Sequence, residues 1–171
     1  RISRPEQLLA SLPEAFRILT DPAETGAVTI SLPEDVQAEA FDWPAGFFEK
    51  QVWHVRRPVP EPELIQKAAE LIKKAKRPII ISGGGTIYSD ASDELRGFCD
   101  EFGIPITETQ AGKGVLGWNY RWNAGPIGSN GATSANELAK ETDLIIAVGT
   151  RLTDFTTASR TQFQSPDVRF V

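Results

Sequence analysis

The chain has no methionine, one cysteine and one histidine among its 171 residues. A lone cysteine excludes an internal disulfide and fits a reducing, cytoplasmic compartment. Cys99 and His54 together are too few for a closed zinc site, and no Cys–His or Ser–His nucleophile pair is supported, so no metal ligand is expected. A Gly-x-Ser-x-Gly elbow is missing too. No apolar run approaches the ~20 residues that span a bilayer, and no signal peptide is visible. The net charge of −5 and the lack of a dense basic patch argue against nucleic acid as the partner. Lys67, Lys73, Lys74, Lys76 and Arg77 cluster at the end of a predicted helix, where they complement its dipole. Repeats and low-complexity tracts are absent. Without an initiator methionine, starting on Arg1 and stopping in a β-rich VRFV, the chain is expected to be a segment truncated at both ends.

What is present is an α/β pattern. Two runs, Arg77–Gly85 (RPIIISGGG) and Asp143–Arg151 (DLIIAVGTR), are apolar and β-branched and end in glycine. Such runs read as parallel strands buried on both faces. Between them, helical periodicity predicts a helix over about 90–102 with Gly103 as its C′ residue, then a strand at Ile104–Thr107. Pro105 suits the start or edge of that strand. A Gly-, Asn- and Trp-rich stretch over 110–131 reads as loops with one helical turn. Ser129 or Asn130 is placed to cap a helix running to about Lys140. A last strand begins near Val168. This alternation predicts a doubly wound, mostly parallel, Rossmann-like sheet over residues 62–171.

Upstream, Ser3–Glu6 matches a capping box before a helix through Leu19, and Gly26–Leu32 reads as a strand. That pair, residues 1–32, looks like the end of a preceding domain. Residues 33–61 carry Pro33, Pro44, Pro58 and Pro60 with Phe41, Trp43, Phe47, Phe48 and Trp53 between them. They read as an extended connector whose aromatics, at ~1.5–3 kcal/mol each, seek a surface to lie on.

In open α/β sheets ligands bind at the carboxyl ends of the strands. Candidate crevice residues are therefore Gly83, Gly84, Gly85, Gln110, Lys113, Gly149, Thr150, Arg151 and Asp154. Each has a plain structural alternative. Gly83–Gly85 follow a strand as a dinucleotide fingerprint does, with Glu108 placed as a ribose acid, but Tyr88 stands where a third glycine is needed. A structural glycine turn is the alternative. Gln110–Gly114 lacks the first glycine and the Ser/Thr of a P-loop. Lys113 is either an anion contact or a solvated loop lysine, and Arg151 with Asp154 either lines the crevice or forms a local ion pair. Cys99 lies on an apolar helix face and reads as core; His54 reads as surface.

The order of the pieces is more specific than any one of them. GAVTISLPEDVQ (26–37), KRPIIISGGG (76–85), GIPITET (103–109) and DLIIAVGTR (143–151) resemble the central part of thiamine-diphosphate enzymes of the acetolactate synthase and pyruvate oxidase superfamily. Residues 1–7, 19–29, 108–113 and 149–159 are most similar to its branch that hydrolyses a trihydroxycyclohexane-1,2-dione in inositol catabolism. The resemblance implies residues 1–32 as the end of a pyrimidine-binding domain and 62–171 as the middle domain. It implies a full-length homo-oligomer, a dimer, binding thiamine diphosphate and Mg²⁺ at the dimer interface, with pyrimidine- and diphosphate-binding domains of the same protein as this chain's partners. The family's activating glutamate and Gly-Asp-Gly…Asn motif belong to those other domains, and no Gly-Asp-Gly occurs here. No catalytic residue is therefore assigned to this chain, which alone is expected to be inactive and to hold no cofactor. Flavin-binding relatives carry an Asp-Asp-Arg run where this chain has Thr153-Asp154-Phe155, so FAD is not expected. The alternatives are an acetolactate synthase-like enzyme and a free-standing NAD- or FAD-binding module.

Overall fold

The two apolar runs form the middle of a sheet. In the computed structural model, which describes residues 1–171, β1 (Pro78–Ser82) pairs in parallel with β4 (Leu144–Val148) on one side and with β2 (Ile106–Glu108) on the other. β3 (Asn123–Pro126) and β5 (Arg169–Phe170) complete a five-stranded, all-parallel sheet in the order β3-β2-β1-β4-β5. That order reverses between β1 and β4, as in a doubly wound Rossmann-like sheet. The expected fold class is the one observed.

Successive side chains of a strand alternate between faces, so both faces of the central strands become core. Ile80 packs with Leu95, Cys99 and Ile106 on one face, under helices α3 (Pro62–Lys74) and α5 (Ser92–Phe102). Ile79, Ile81 and Ile145 pack with Ala135 and Ala139 of α6 (Thr133–Glu141) on the other. Burying each isoleucine stabilises the fold by about 1.5–3 kcal/mol. Gly103 ends α5 in the left-handed region at φ 64°, the C′ role read from the sequence. Pro105 stands just before β2, where its missing N–H breaks no ladder bond.

A second compact unit spans Arg1–Pro58, apart from the Val59–Val171 unit that holds the sheet. It contains α1 (Leu8–Leu19) and the single turn α2 (Glu34–Gln37). The connector aromatics pack on one another: Trp43 stacks on Phe47 at 4.6 Å and meets Phe41 edge-on at 4.8 Å. Trp53 stacks on Phe16 of α1 at 5.6 Å.

Four local expectations are corrected. Gly26–Leu32 forms no ladder, because no strand of the unit runs alongside; two bonds hold it, Ile2 N–H to the Ser31 carbonyl at 2.9 Å and the Gln37 side-chain amide to the Leu32 carbonyl at 2.8 Å. The Ser3–Glu6 capping box is not made, since the Gln7 side-chain carbonyl takes the Ser3 N–H at 2.7 Å. Neither Ser129 nor Asn130 caps α6, whose N-cap is Ala132. The helix begins at Thr133, after both, and the Ser129 N–H donates to the Phe155 carbonyl at 2.8 Å. Within the predicted loop lies β3, a strand of Asn, Ala, Gly and Pro that exists through pairing with β2 rather than through propensity.

Candidate functional site

Three loops leave the carboxyl edge of the sheet at its reversal point. The first turns from β1 through Gly83 into the short helix α4 (Gly84–Tyr88). Its Gly83 N–H donates to the Val148 carbonyl at 2.9 Å, and its Gly85 N–H to the Gly149 carbonyl at 2.8 Å. Thr86, buried beneath, donates to the Val148 carbonyl at 3.2 Å and accepts the Ser82 hydroxyl at 3.0 Å. The β1 and β4 loops therefore touch backbone to backbone. A Cβ on Gly83 would lie 2.5 Å from that of Thr150, a separation real atoms do not reach. Gly149 adds a conformational need, with φ 57° in the left-handed region.

The second loop follows β2. Its Thr109 N–H donates to the Ser82 carbonyl at 2.9 Å. Gly112 is pressed so close to the first loop that a Cβ there would sit 2.8 Å from the Gly83 Cα. Glu108 is buried, and its carboxylate accepts the Gly114 N–H at 2.9 Å, tying the loop's far end to its root. The side chain read from the sequence as a ribose acid thus faces its own loop. Gln110 and Lys113, between these anchors, are exposed.

The third loop follows β4. The Thr150 hydroxyl donates to the Arg151 carbonyl at 3.3 Å, and Asp154 opens the short helix α7 (Asp154–Thr157). Arg151 and Asp154 are exposed. Beyond α7 come three consecutive non-glycine residues in the left-handed region, Ala158, Ser159 and Arg160, at φ 46°, 54° and 66°. Sequence reasoning missed this turn, because none of the three residue types signals positive φ. Its anchors hold it in place. The Phe155 carbonyl accepts the Ser129 N–H at 2.8 Å, and the Gln162 amide donates to the Asn136 carbonyl at 2.9 Å. Asn136 in turn grips both the N–H and the carbonyl of Gly128 at 3.0 Å.

The structure thus brings Gly83, Gly85, Gly149 and Thr150 together, with Gly84 beside Ala111 of the second loop. Gln110 and Lys113 on the second loop, and Arg151 and Asp154 on the third, are exposed beside this knot. Exposed aromatics leave the same edge: Tyr88 from α4 and Phe155 from α7. No group of three His, Cys, Asp or Glu side chains is placed to hold a metal. Cys99 is fully buried, and burial together with neighbouring Asp100 pushes its thiol up to about 11. It is a core side chain, not a nucleophile.

Comparison with known proteins gives this edge its context. Over the full 171 residues the chain is 53% identical to the 3D-(3,5/4)-trihydroxycyclohexane-1,2-dione hydrolase of Clostridium tetani. It is 52% identical to that of Clostridium perfringens and 50% identical to hydrolase 1 of Bacillus cereus. In each case the match covers 27% of the relative's length, so the chain spans about a quarter of these proteins. The family model described as the thiamine pyrophosphate enzyme central domain matches residues 65–171, most of the unit that carries the sheet. The chain therefore belongs to the thiamine pyrophosphate enzymes, and its Rossmann-like sheet is their central domain.

Proposed function

We propose that the chain is the central part of a ring-opening hydrolase that cleaves a carbon–carbon bond of trihydroxycyclohexane-1,2-dione to release 5-deoxyglucuronate. This places the full-length protein in the cytoplasm, in myo-inositol breakdown, as a homodimer using thiamine diphosphate with Mg²⁺. The carrying observation is the 53% identity to the Clostridium tetani hydrolase over all 171 residues of the chain. When bound, thiamine diphosphate supplies an electron sink that makes the bond beside an attacked carbonyl breakable. The residues of this chain do not fit that cofactor: they offer neither a metal-ligating cluster nor a Gly-Asp-Gly motif. No chemical step is assigned to them. In this reading residues 1–32 close the pyrimidine-binding domain, 33–61 connect, and 62–171 form a scaffold against which the pyrimidine- and diphosphate-binding domains seat.

The glycine edge supports a scaffold role. A dinucleotide fold offers its glycine-turn amides to a pyrophosphate. Here the Gly83 and Gly85 amides already donate to backbone carbonyls of the β4 loop. That geometry favours a frame that locks three loops over a FAD or NAD cradle. The locked loops then present Gln110, Lys113 and Arg151 at the mouth of the active site, and Tyr88 and Phe155 are surface that the neighbouring domains cover.

The test is an assay of the full-length enzyme, supplied with thiamine diphosphate and Mg²⁺, for ring opening of the dione. Turnover of the dione with no activity on pyruvate supports the assignment. Activity on pyruvate alone moves the chain to the acetolactate synthase-like reading. Calorimetric titration with NAD, FAD and ADP tests the module reading, which a Kd below about 100 μM would favour.

A further inference from the structure

The edge of the sheet opposite the glycine loops is also concave. A cavity of about 570 Å³ opens beneath the amino ends of β1 and β2, between the last turn of α3, the end of α5 and the flank of α6. The inherited cofactor position of such folds is the other edge, so this cavity is not a remnant of it.

The starts of parallel strands normally expose N–H groups. Here β1 begins with Pro78 and Pro105 immediately precedes β2, and neither has an N–H to expose. The polar backbone nearest them is already satisfied. The Arg77 carbonyl accepts the Thr142 hydroxyl at 2.7 Å, and the Pro105 carbonyl accepts the Ile80 N–H at 2.9 Å. The walls are apolar: Ile72 of α3, the Phe98–Phe102 ring pair with centroids 4.8 Å apart, and Ile104 at 4% exposure. A volume of this size falls in the ~300–1,000 Å³ range of small-molecule sites.

The rim is cationic. Lys73, Lys76 and Arg77 stand on it against one carboxylate, Glu141. Arg77 faces Glu141 at 3.6 Å, and the nearby Asp143 carboxylate is taken by the backbone N–H groups of Lys76 and Arg77 at 2.8 and 2.9 Å. The Lys73 and Lys76 ammonium groups are in none of the ion pairs of the fold. An apolar-walled pocket, open to solvent beside two ammonium groups that join no ion pair, selects for an apolar body with one anionic head.

We infer that the cavity between α3, α5 and α6 is a binding site for a small amphipathic carboxylate, its apolar body lying over Pro78 and Pro105 and its head at Lys73 and Lys76. The inference does not rest on the hydrolase reading.

The test is calorimetric titration of the full-length protein with decanoate, decanol and decyltrimethylammonium. Saturable binding of decanoate, at least tenfold tighter than of the other two, is expected. Lys73→Glu with Lys76→Glu, both exposed and outside the core, should weaken decanoate at least tenfold. Ala69→Trp, which fills the cavity from α3, should remove binding while circular dichroism stays unchanged. Should that variant fail to fold, the charge-reversal pair decides alone. No binding of decanoate, as when another segment of the full-length chain fills the cavity, overturns the inference. So does equal binding of all three amphiphiles, or binding that the charge reversal leaves intact.

Discussion

The knot of loops at the carboxyl edge makes Gly149 a demanding position on two counts. Replacing it with alanine imposes two separate penalties. The residue sits at φ 57°, where an added Cβ costs about 1–2 kcal/mol. The new methyl would also press on the Thr86 amide and lie 2.6 Å from the Gly85 carbonyl carbon, both backbone and neither able to swing aside. Forcing such contacts apart costs about 1–3 kcal/mol in a packed interior. Together Gly149→Ala should lose about 2–5 kcal/mol, against a total of about 5–15 kcal/mol for a domain. Gly97 is the internal control. It lies within α5 with nothing inside 4 Å of a built Cβ, so Gly97→Ala should gain about 0.5–1 kcal/mol from helix propensity alone. Urea unfolding followed by far-ultraviolet circular dichroism measures both. If Gly149→Ala unfolds within 0.5 kcal/mol of the parent while Gly97→Ala behaves as stated, the close approach of the β1 and β4 loops is wrong.

Asp143→Ala should destabilise the protein by about 1.5–3 kcal/mol at pH 7, because two backbone N–H groups lose a charged acceptor. Burial works to raise the Asp143 carboxyl, but the Lys76 and Arg77 amides outweigh it and hold the group below its ordinary 3.8. A depressed folded-state value stabilises above the ordinary value and is lost as pH falls through the folded one. The gap between parent and variant should therefore be full at neutral pH and close below about pH 4, as read from urea midpoints across that range. Cys99 should stay unmodified by a thiol-reactive disulfide reagent at pH 8 and react at once in denaturant, since its buried thiol is raised to about 11; native-state labelling would contradict its place in the core. Glu108→Ala should speed amide exchange at Gly114 by about tenfold or more, leaving the β1 amides protected. In the full-length enzyme, Lys113→Ala and Arg151→Ala should lower kcat/KM for the dione by about tenfold, or 1.4 kcal/mol, with the melting temperature unchanged; wild-type kinetics in both would remove them from the active-site mouth.

The sheet was legible where its residues decide their own conformation. IIIS and LIIAV are short, β-branched and apolar on both faces, a pattern only a doubly covered parallel strand satisfies, and they became the adjacent central pair. The α5 boundary was legible because Gly103 carries the left-handed residue that ends the helix. What stayed hidden depends on partners distant in sequence. β3 is a strand because Asn123 and Pro126 find register with Ile106 and Glu108. Gly26–Leu32 has the right composition yet lacks a neighbouring strand in its unit, so composition alone misled. The capping residues failed locally: α6 starts after Ala132 rather than after Ser129 or Asn130, and the Ser3 amide found the Gln7 side chain rather than that of Glu6.

The candidate site divides along the same line. Its position was readable, since glycine after a buried strand marks the carboxyl edge. Its use was not, because one glycine pattern serves two opposite ends. A glycine can open a backbone amide to a ligand, or it can let two backbones close on each other. The choice lies in where Val148 and Gly149 place their carbonyls, and those residues are more than sixty positions from the glycines they meet. Here the carbonyls meet the amides, so the pattern that reads as a phosphate cradle works as a clasp between loops. The consequence is functional. A clasped edge fixes the roots of the loops after β1, β2 and β4 while leaving the side chains of Gln110, Lys113 and Arg151 in solvent. A domain proposed to position another domain's chemistry needs that combination: a rigid backbone beneath exposed side chains.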